Sequence, residues 1–110
     1  MQNGLYKVEF KTPLGIGAGV VFLRDGKVHG GDSAMFYVGQ LSGADENLTA
    51  EVEGKYHTTG TGVGNVFGPT IQHTHISLKG NGSGTAASFN GTAKEAPGVP
   101  FQATLKKISD

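Results

Sequence analysis

Residues 35–53 have the sequence MFYVGQLSGADENLTAEVE, in which apolar and polar side chains alternate on both sides of an acidic turn. The alternation is clearest after the turn, where Leu48, Ala50 and Val52 are separated by Thr49, Glu51 and Glu53. A period of two places apolar side chains on one face of a strand and polar ones on the other. We therefore predict strands at about 35–42 and from 48 onward, joined by a turn at 44–47.

The same alternation recurs from end to end of the chain, and no stretch shows a helical stripe. Besides the two strands above, we predict strands at about 6–11, 14–24, 27–30, 70–79, around 89 and at 101–108. Turns are predicted at 25–26, 81–84 and 96–98, and a long glycine-rich loop at 59–69. About eight strands joined by short turns indicate an all-β, antiparallel up-and-down barrel formed by one domain, residues 1–110. A two-sheet sandwich is the alternative.

Composition excludes several classes of function. The chain has 110 residues, a formal net charge of zero and no cysteine. Neutrality argues against nucleic-acid binding, and the lack of cysteine excludes disulfides and thiolate metal sites. The apolar stretch 14–23 is interrupted by glycines and is too short to cross a membrane, and no secretion signal is seen, so we expect a cytoplasmic protein. No motif calls for a cofactor.

The interior of an eight-stranded barrel is either filled by side chains or holds one small ligand. We predict that the apolar face of the first strand points inward, and in the second strand the face that carries Ile16, Ala18, Val20 and Phe22. Val21 and Leu23 would then form an outward apolar contact surface beside Gly15, Gly17 and Gly19, the strand glycines at which we expect a bend. The candidate ligand-binding residues are Tyr6, Phe10, Ile16, Val20, Phe22, Tyr37 and Phe101.

Two histidines, His73 and His75, are two residues apart and so share one side of a predicted strand. Such a pair can begin a metal site, and His57 is the third ligand that we consider. The alternative is that all three side chains bind nothing, and we predict no metal. Glu51 and Glu53, beside Lys55, have the pattern of a solvated strand face.

Catalytic patterns are not supported by the sequence. His29, Asp32 and Ser33 contain the residue types of a hydrolytic triad, but Asp32 and Ser33 are adjacent and no nucleophile elbow is present. We interpret Asp32 as a turn residue that bonds to nearby backbone. The glycine clusters lack the spacing of phosphate-binding loops. We therefore predict that the protein is not an enzyme.

Three segments together resemble the GrlR-like family, negative regulators of type III secretion and related small bacterial proteins. They are residues 3–10, which begin Asn-Gly-Leu-Tyr, residues 25–32, which run from Asp-Gly-Lys-Val into Gly-Gly-Asp, and Tyr37 with Gly39. The resemblance covers residues 3–53. It implies a lipocalin-like barrel that forms a homodimer and has an apolar interior able to take a lipid-like molecule.

In that family, an exposed acidic run in the turn after the Tyr-x-Gly strand contacts a transcriptional activator. The matching positions are 44–47, of which Asp45 and Glu46 are acidic. The resemblance thus implies a regulator that binds a protein partner through Asp45 and Glu46. A carrier or sensor of a small apolar ligand inside the barrel is the alternative hypothesis.

Overall fold

A computed structural model describes residues 1–59, 66–68 and 71–110. These residues form a closed barrel of eight antiparallel strands, each paired with its neighbours in sequence, and β8 closes onto β1. The strands are β1 Gly4–Thr12, β2 Gly15–Arg24, β3 Lys27–Gly31, β4 Met35–Ala44, β5 Asn47–Tyr56, β6 His73–Gly82, β7 Ala86–Ala93 and β8 Ala96–Ser109. The predicted all-β, up-and-down barrel is confirmed.

The meander gives the barrel two distinct ends. The β1–β2, β3–β4, β5–β6 and β7–β8 connections lie at one end, which we call the upper end. The β2–β3, β4–β5 and β6–β7 turns lie at the lower end, together with residues 1–3. Within the described ranges, no helix is long and apolar enough to cross a membrane.

Alternating side chains build the interior as the period of two predicts. In β1, Tyr6 and Val8 are buried while the intervening Lys7 is exposed. In β5, Leu48 and Ala50 are buried on either side of the exposed Thr49. The lower end is closed by Tyr6, whose hydroxyl donates to the backbone carbonyls of Gln2 at 2.6 Å and Gly84 at 3.1 Å.

Strand β2 presents the opposite face to the one predicted. Ile16, Val20 and Phe22 point outward and are 81%, 43% and 39% exposed. Val21 and Leu23 point inward and are buried. At Gly17, an inward position near the upper end, the Phe10 side chain needs the space: a Cβ on Gly17 would lie 2.4 Å from Cε2 of Phe10.

Three boundaries also differ from the predicted ones. Strand β6 begins at His73 instead of residue 70 and continues to Gly82, so the turn that follows starts later. The last hairpin turns at 94–95, where Ala93 pairs with Ala96, and not at 96–98. The last strand nevertheless begins at Ala96, which pairs with Ala93 of β7, and it includes residues 97–100 despite their proline and glycine content. Of the predicted loop 59–69, residues 60–65 and 69 lie outside the described residues.

Inward glycines mark the places where neighbouring strands approach most closely. A Cβ on Gly91 would lie 1.9 Å from the carbonyl oxygen of Ser77, and a Cβ on Gly80 would lie 1.9 Å from that of Ser88. Both positions are on the β6–β7 ladder, and the register irregularity between Gly91 and Ala93 is in the pairing of β7 with β8. A Cβ on Gly30 would likewise lie 2.0 Å from the carbonyl oxygen of Val20 in β2, whereas Gly15 has open space around it.

Candidate functional site

The barrel contains a cavity of about 340 Å³ that is partly open to solvent. This volume lies within the range of about 300–1,000 Å³ that is usual for small-molecule sites. Its wall is predominantly apolar and includes residues from most strands, among them Val8, Val21, Val28, Leu41, Ala50 and Val52. An apolar cavity of this size lowers the free energy of any apolar molecule that leaves water to enter it.

An aromatic group lies at the upper end of the cavity. Phe10 packs edge-to-face on Tyr37 with ring centroids 6.0 Å apart, and Phe101 stacks between Phe10 and Phe67, with centroid separations of 6.1 Å and 5.2 Å. Phe67 comes from the β5–β6 connection and is 4% exposed. Its neighbour Val66 accepts a hydrogen bond from Thr12 Oγ1, which ties this part of the connection to β1. Phe67 thus covers part of the upper opening.

The cavity has one polar group of note, formed by Asp32 and Tyr37. Asp32 Oδ1 accepts hydrogen bonds from the backbone N–H groups of Ala34 at 2.9 Å and Met35 at 2.8 Å. The Tyr37 hydroxyl donates to Asp32 Oδ2. The interpretation of Asp32 as a turn residue is confirmed, and the carboxylate also orients a tyrosine at the cavity wall. His29, which the triad pattern would need, is exposed on β3.

Burial holds the pKa of Tyr37 well above its usual value near 10, and the hydrogen bond to Asp32 and the negative charge of Asp32 act in the same direction. Burial is also the main cause that raises the pKa of Tyr6. For Tyr37, the neutral form is therefore the one that the fold accommodates.

We expect alkaline pH to destabilise the fold partly through Tyr37. Because its pKa is higher in the folded chain than the unfolded value of about 10, stability is present below that pH and is lost as pH rises further. Urea unfolding between about pH 8 and about pH 11 should show a smaller alkaline loss for Tyr37→Phe than for the unmodified chain. Equal losses in both proteins would contradict this account.

The structure places four of the seven predicted ligand-binding residues inside the barrel. Phe10, Tyr37 and Phe101 line the cavity, whereas Tyr6 is buried below it at the closed end. Val20 and Phe22 are on the outer face of β2 and do not line the cavity, so their predicted interior position is wrong. Ile16 shares that face and is 81% exposed, but it borders the cavity. Sequence reasoning did not identify Phe67, although a single phenylalanine within a glycine-rich loop is a usable signal for a buried anchor.

The acidic turn joins β4 and β5 at the lower end, as predicted. The Asp45 carboxylate contacts the N-terminal ammonium of Met1 at 2.7 Å, and its backbone carbonyl accepts a hydrogen bond from Gly82 N–H at 2.6 Å. Glu46 is exposed. The two acidic residues are adjacent but differ in their surroundings, and Glu46 is the more accessible of the pair.

A second cluster lies on the outer wall, where β5 pairs with β6. His73 Nε2 is 3.6 Å from Glu53 Oε2, and His75 Nε2 is 3.4 Å from Glu53 Oε1. His57, the third ligand considered from the sequence, is not part of this cluster. It follows the end of β5, and its Nε2 lies 2.9 Å from the backbone carbonyl of Asp32.

Glu95, in the β7–β8 turn, holds His75 in place. One carboxylate oxygen accepts the His75 backbone N–H at 2.7 Å, and the other lies 2.5 Å from the ring Nδ1. Desolvation opposes ionisation of Glu95, but these hydrogen bonds from His75 outweigh it and keep the pKa of Glu95 at about 2. Glu95 is 20 residues from His75 in sequence, and no pattern in the sequence connects them.

An outer depression of about 470 Å³ lies over β1, β7 and β8. Its lining includes Lys7, Glu9, Ser88 and Lys106, and it is open to solvent. A molecule bound there would stay hydrated and gain little from desolvation, so the smaller interior cavity is the better candidate for an apolar ligand.

No protein-family model matches the chain, and no curated protein matches it.

Proposed function

We propose that the protein is a cytoplasmic, non-enzymatic binding protein whose barrel encloses one small apolar molecule. The observation that carries this proposal is the cavity of about 340 Å³ with its predominantly apolar wall. A packed protein interior contains few voids larger than a water molecule. An apolar molecule bound here would contact the apolar lining atoms and remove them from water.

The carboxylate in the cavity wall favours uncharged ligands over anionic ones. Asp32 is the single Asp, Glu, Lys, Arg or His among the described lining residues. Its oxygens already accept three hydrogen bonds, from Ala34, Met35 and Tyr37. A second carboxylate beside it would be repelled without gaining a partner. An uncharged chain such as a fatty alcohol therefore suits the cavity better than a fatty acid anion.

Calorimetric titration with 1-decanol and with decanoate tests this proposal. We expect saturable one-to-one binding of 1-decanol and weaker binding of decanoate, because the two chains bury the same apolar surface and differ in head-group charge. Native mass spectrometry should show the corresponding one-to-one complex. Absence of saturable binding for both compounds would overturn the proposed function.

A second proposal follows the resemblance to the GrlR-like regulators. In those proteins, the turn that corresponds to Asp45 and Glu46 of this chain contacts a transcriptional activator. The position of this turn at the tip of the β4–β5 hairpin and the exposure of Glu46 favour it. Acidic groups on such a surface accelerate and orient association with a basic partner. A homodimer would use the outward face of β2, where Val20 and Phe22 are exposed near Phe36 of β4.

Reversing both charges of the turn, by Asp45→Lys with Glu46→Lys, is expected to abolish capture of a transcriptional activator that carries a basic patch. The matched control is Glu9→Lys with Glu51→Lys, which changes the net charge equally on the outer wall. Capture should be retained in the control. Unchanged capture by the turn variant would contradict the partner-binding proposal without affecting that of the interior ligand.

A further inference from the structure

The outer-wall cluster of Glu53, His73 and His75 follows directly from the strand register. Thr74 is 2% exposed and points into the barrel, so the histidines on either side of it point outward. Glu53 of β5 pairs with His75 of β6, and its side chain is on the same outer face. The sheet thereby brings one carboxylate and two imidazoles together, with one potential ligand atom of each within 4.8 Å of the others.

The separations within this cluster are too long for hydrogen bonds. Nitrogen–oxygen hydrogen bonds to a carboxylate are about 2.7–2.9 Å when the donor is charged. The His73–Glu53 and His75–Glu53 distances are 3.6 Å and 3.4 Å. Nε2 of His73 is shielded from solvent and has no hydrogen-bond partner. The strand register therefore holds two imidazole nitrogens near one carboxylate without hydrogen bonds between them.

A bound metal ion gives that spacing. Two ligand atoms on a tetrahedral Zn²⁺, each about 2.0–2.1 Å from the ion, lie about 3.3 Å apart. The nitrogen–oxygen separations, from His73 to one Glu53 oxygen and from His75 to the other, are close to this value. The two imidazole rings are tilted by 40° with centroids 4.3 Å apart, and one ligand atom of each residue lies within 4.8 Å of the others.

Glu95 completes the pattern. Metal-bound histidines usually donate the other ring N–H to a carboxylate or carbonyl, which fixes the tautomer. Here the Nδ1 of His75 lies 2.5 Å from Glu95 Oε2. A neutral ring with its proton on Nδ1 would have the lone pair of Nε2 free to bind a metal.

We propose that Glu53, His73 and His75 bind a Zn²⁺ ion on the outer wall of the barrel, with Glu95 as the residue that positions His75. Two imidazoles and one carboxylate are a ligand set that suits Zn²⁺, and the fourth position is left to water. The ion would join β5 to the first residues of β6, next to the β5–β6 connection. This site is separate from the interior cavity, whose lining contains none of the four residues.

Titration calorimetry with ZnCl₂ on chelator-treated protein tests the site. We expect one Zn²⁺ per chain, and a loss of affinity of about 10–100-fold for Glu95→Gln, the size typical of a residue that orients a ligand. Glu53→Ala and His75→Ala remove ligands and should weaken binding further. His29→Ala is the matched control, because His29 is an exposed histidine on β3 outside the cluster, and it should bind as the unmodified chain does.

Two further measurements distinguish a loss of Zn²⁺ binding from a loss of the fold. The altered side chains lie on the outer wall, so far-ultraviolet circular dichroism should be the same for all variants. Zn²⁺ should raise the melting temperature of the unmodified chain and of His29→Ala but not that of His75→Ala. Absence of saturable Zn²⁺ binding, or binding that survives His75→Ala unchanged, would overturn the proposed site.

Discussion

Replacing Ala50 by phenylalanine is expected to weaken binding of 1-decanol on the order of a hundredfold while the barrel stays folded. Ala50 is 6% exposed, and its side chain lines the cavity from β5. A phenyl ring at this position occupies space that a ligand would need. If it displaces about four methylene groups of the ligand, the loss is ~0.8 kcal/mol for each, about 3 kcal/mol in all.

The matched control for Ala50→Phe is Ala44→Phe, which adds the same ring at an exposed position at the end of β4. It should bind 1-decanol as the unmodified chain does. Stability provides a second readout, because a ring that enters an empty cavity adds contacts. A ring forced into a filled core instead destabilises the fold by about 1–3 kcal/mol. Unchanged binding in Ala50→Phe, or a stability loss of that size, would contradict an open interior.

The second large effect is expected for Gly91→Ala, which should lower the free energy of unfolding by about 3 kcal/mol. The added Cβ would lie 1.9 Å from the carbonyl oxygen of Ser77 and 3.0 Å from Cα of Leu78. Backbone atoms of a paired strand cannot move away as a flexible side chain can. Strands β6 and β7 must therefore separate locally, at a position where β7 is also paired with β8.

Gly98→Ala is the control for Gly91→Ala. A Cβ on Gly98 would meet nothing within 4 Å, and the residue lies in β8 like any other strand residue. It should be neutral or slightly stabilising, because alanine has less conformational freedom than glycine in the unfolded chain. The urea midpoint of each variant measures the effect. Equal midpoints for the two variants would show that the strands do not approach as closely as described.

The alternation of side chains predicts the all-β class and the strands, and it leaves a two-sheet sandwich as the alternative to the barrel. The pattern at 47–53 predicted β5, and the acidic residues between two apolar segments predicted the β4–β5 turn. Local signals worked here because one face of β5 is consistently apolar and the other consistently polar. Strand count and turn positions then favoured the antiparallel barrel that the structure confirms.

The orientation of β2 could not be predicted in the same way. Residues 20–23 are Val-Val-Phe-Leu, so both faces of the strand are apolar and alternation does not distinguish them. The larger set, with Ile16 and Phe22, looked like the interior. The choice depends instead on Phe10, whose ring occupies the space inside Gly17. That contact joins two strands, and it is known only once their register is known.

Only the two histidines of the outer-wall cluster could be recognised as a pair from the sequence, for a similar reason. The spacing of His73 and His75 showed that they share a face, but the residue opposite them follows from the β5–β6 register. That register supplies Glu53, which the sequence pattern had placed on a solvated face, and the β7–β8 turn supplies Glu95. Glu53 and Glu95 are both distant from the two histidines along the chain.

Nuclear Overhauser contacts between bound 1-decanol and the methyl groups of the protein test the central proposal most directly. A ligand inside the barrel is expected to show contacts from its chain to Ala50, Val52 and Ala103, which line the cavity. The outward methyl groups of Val20 should show none, since Val20 is on the solvent side of β2. Contacts to Val20 without contacts to Ala50 and Ala103 would contradict an interior site.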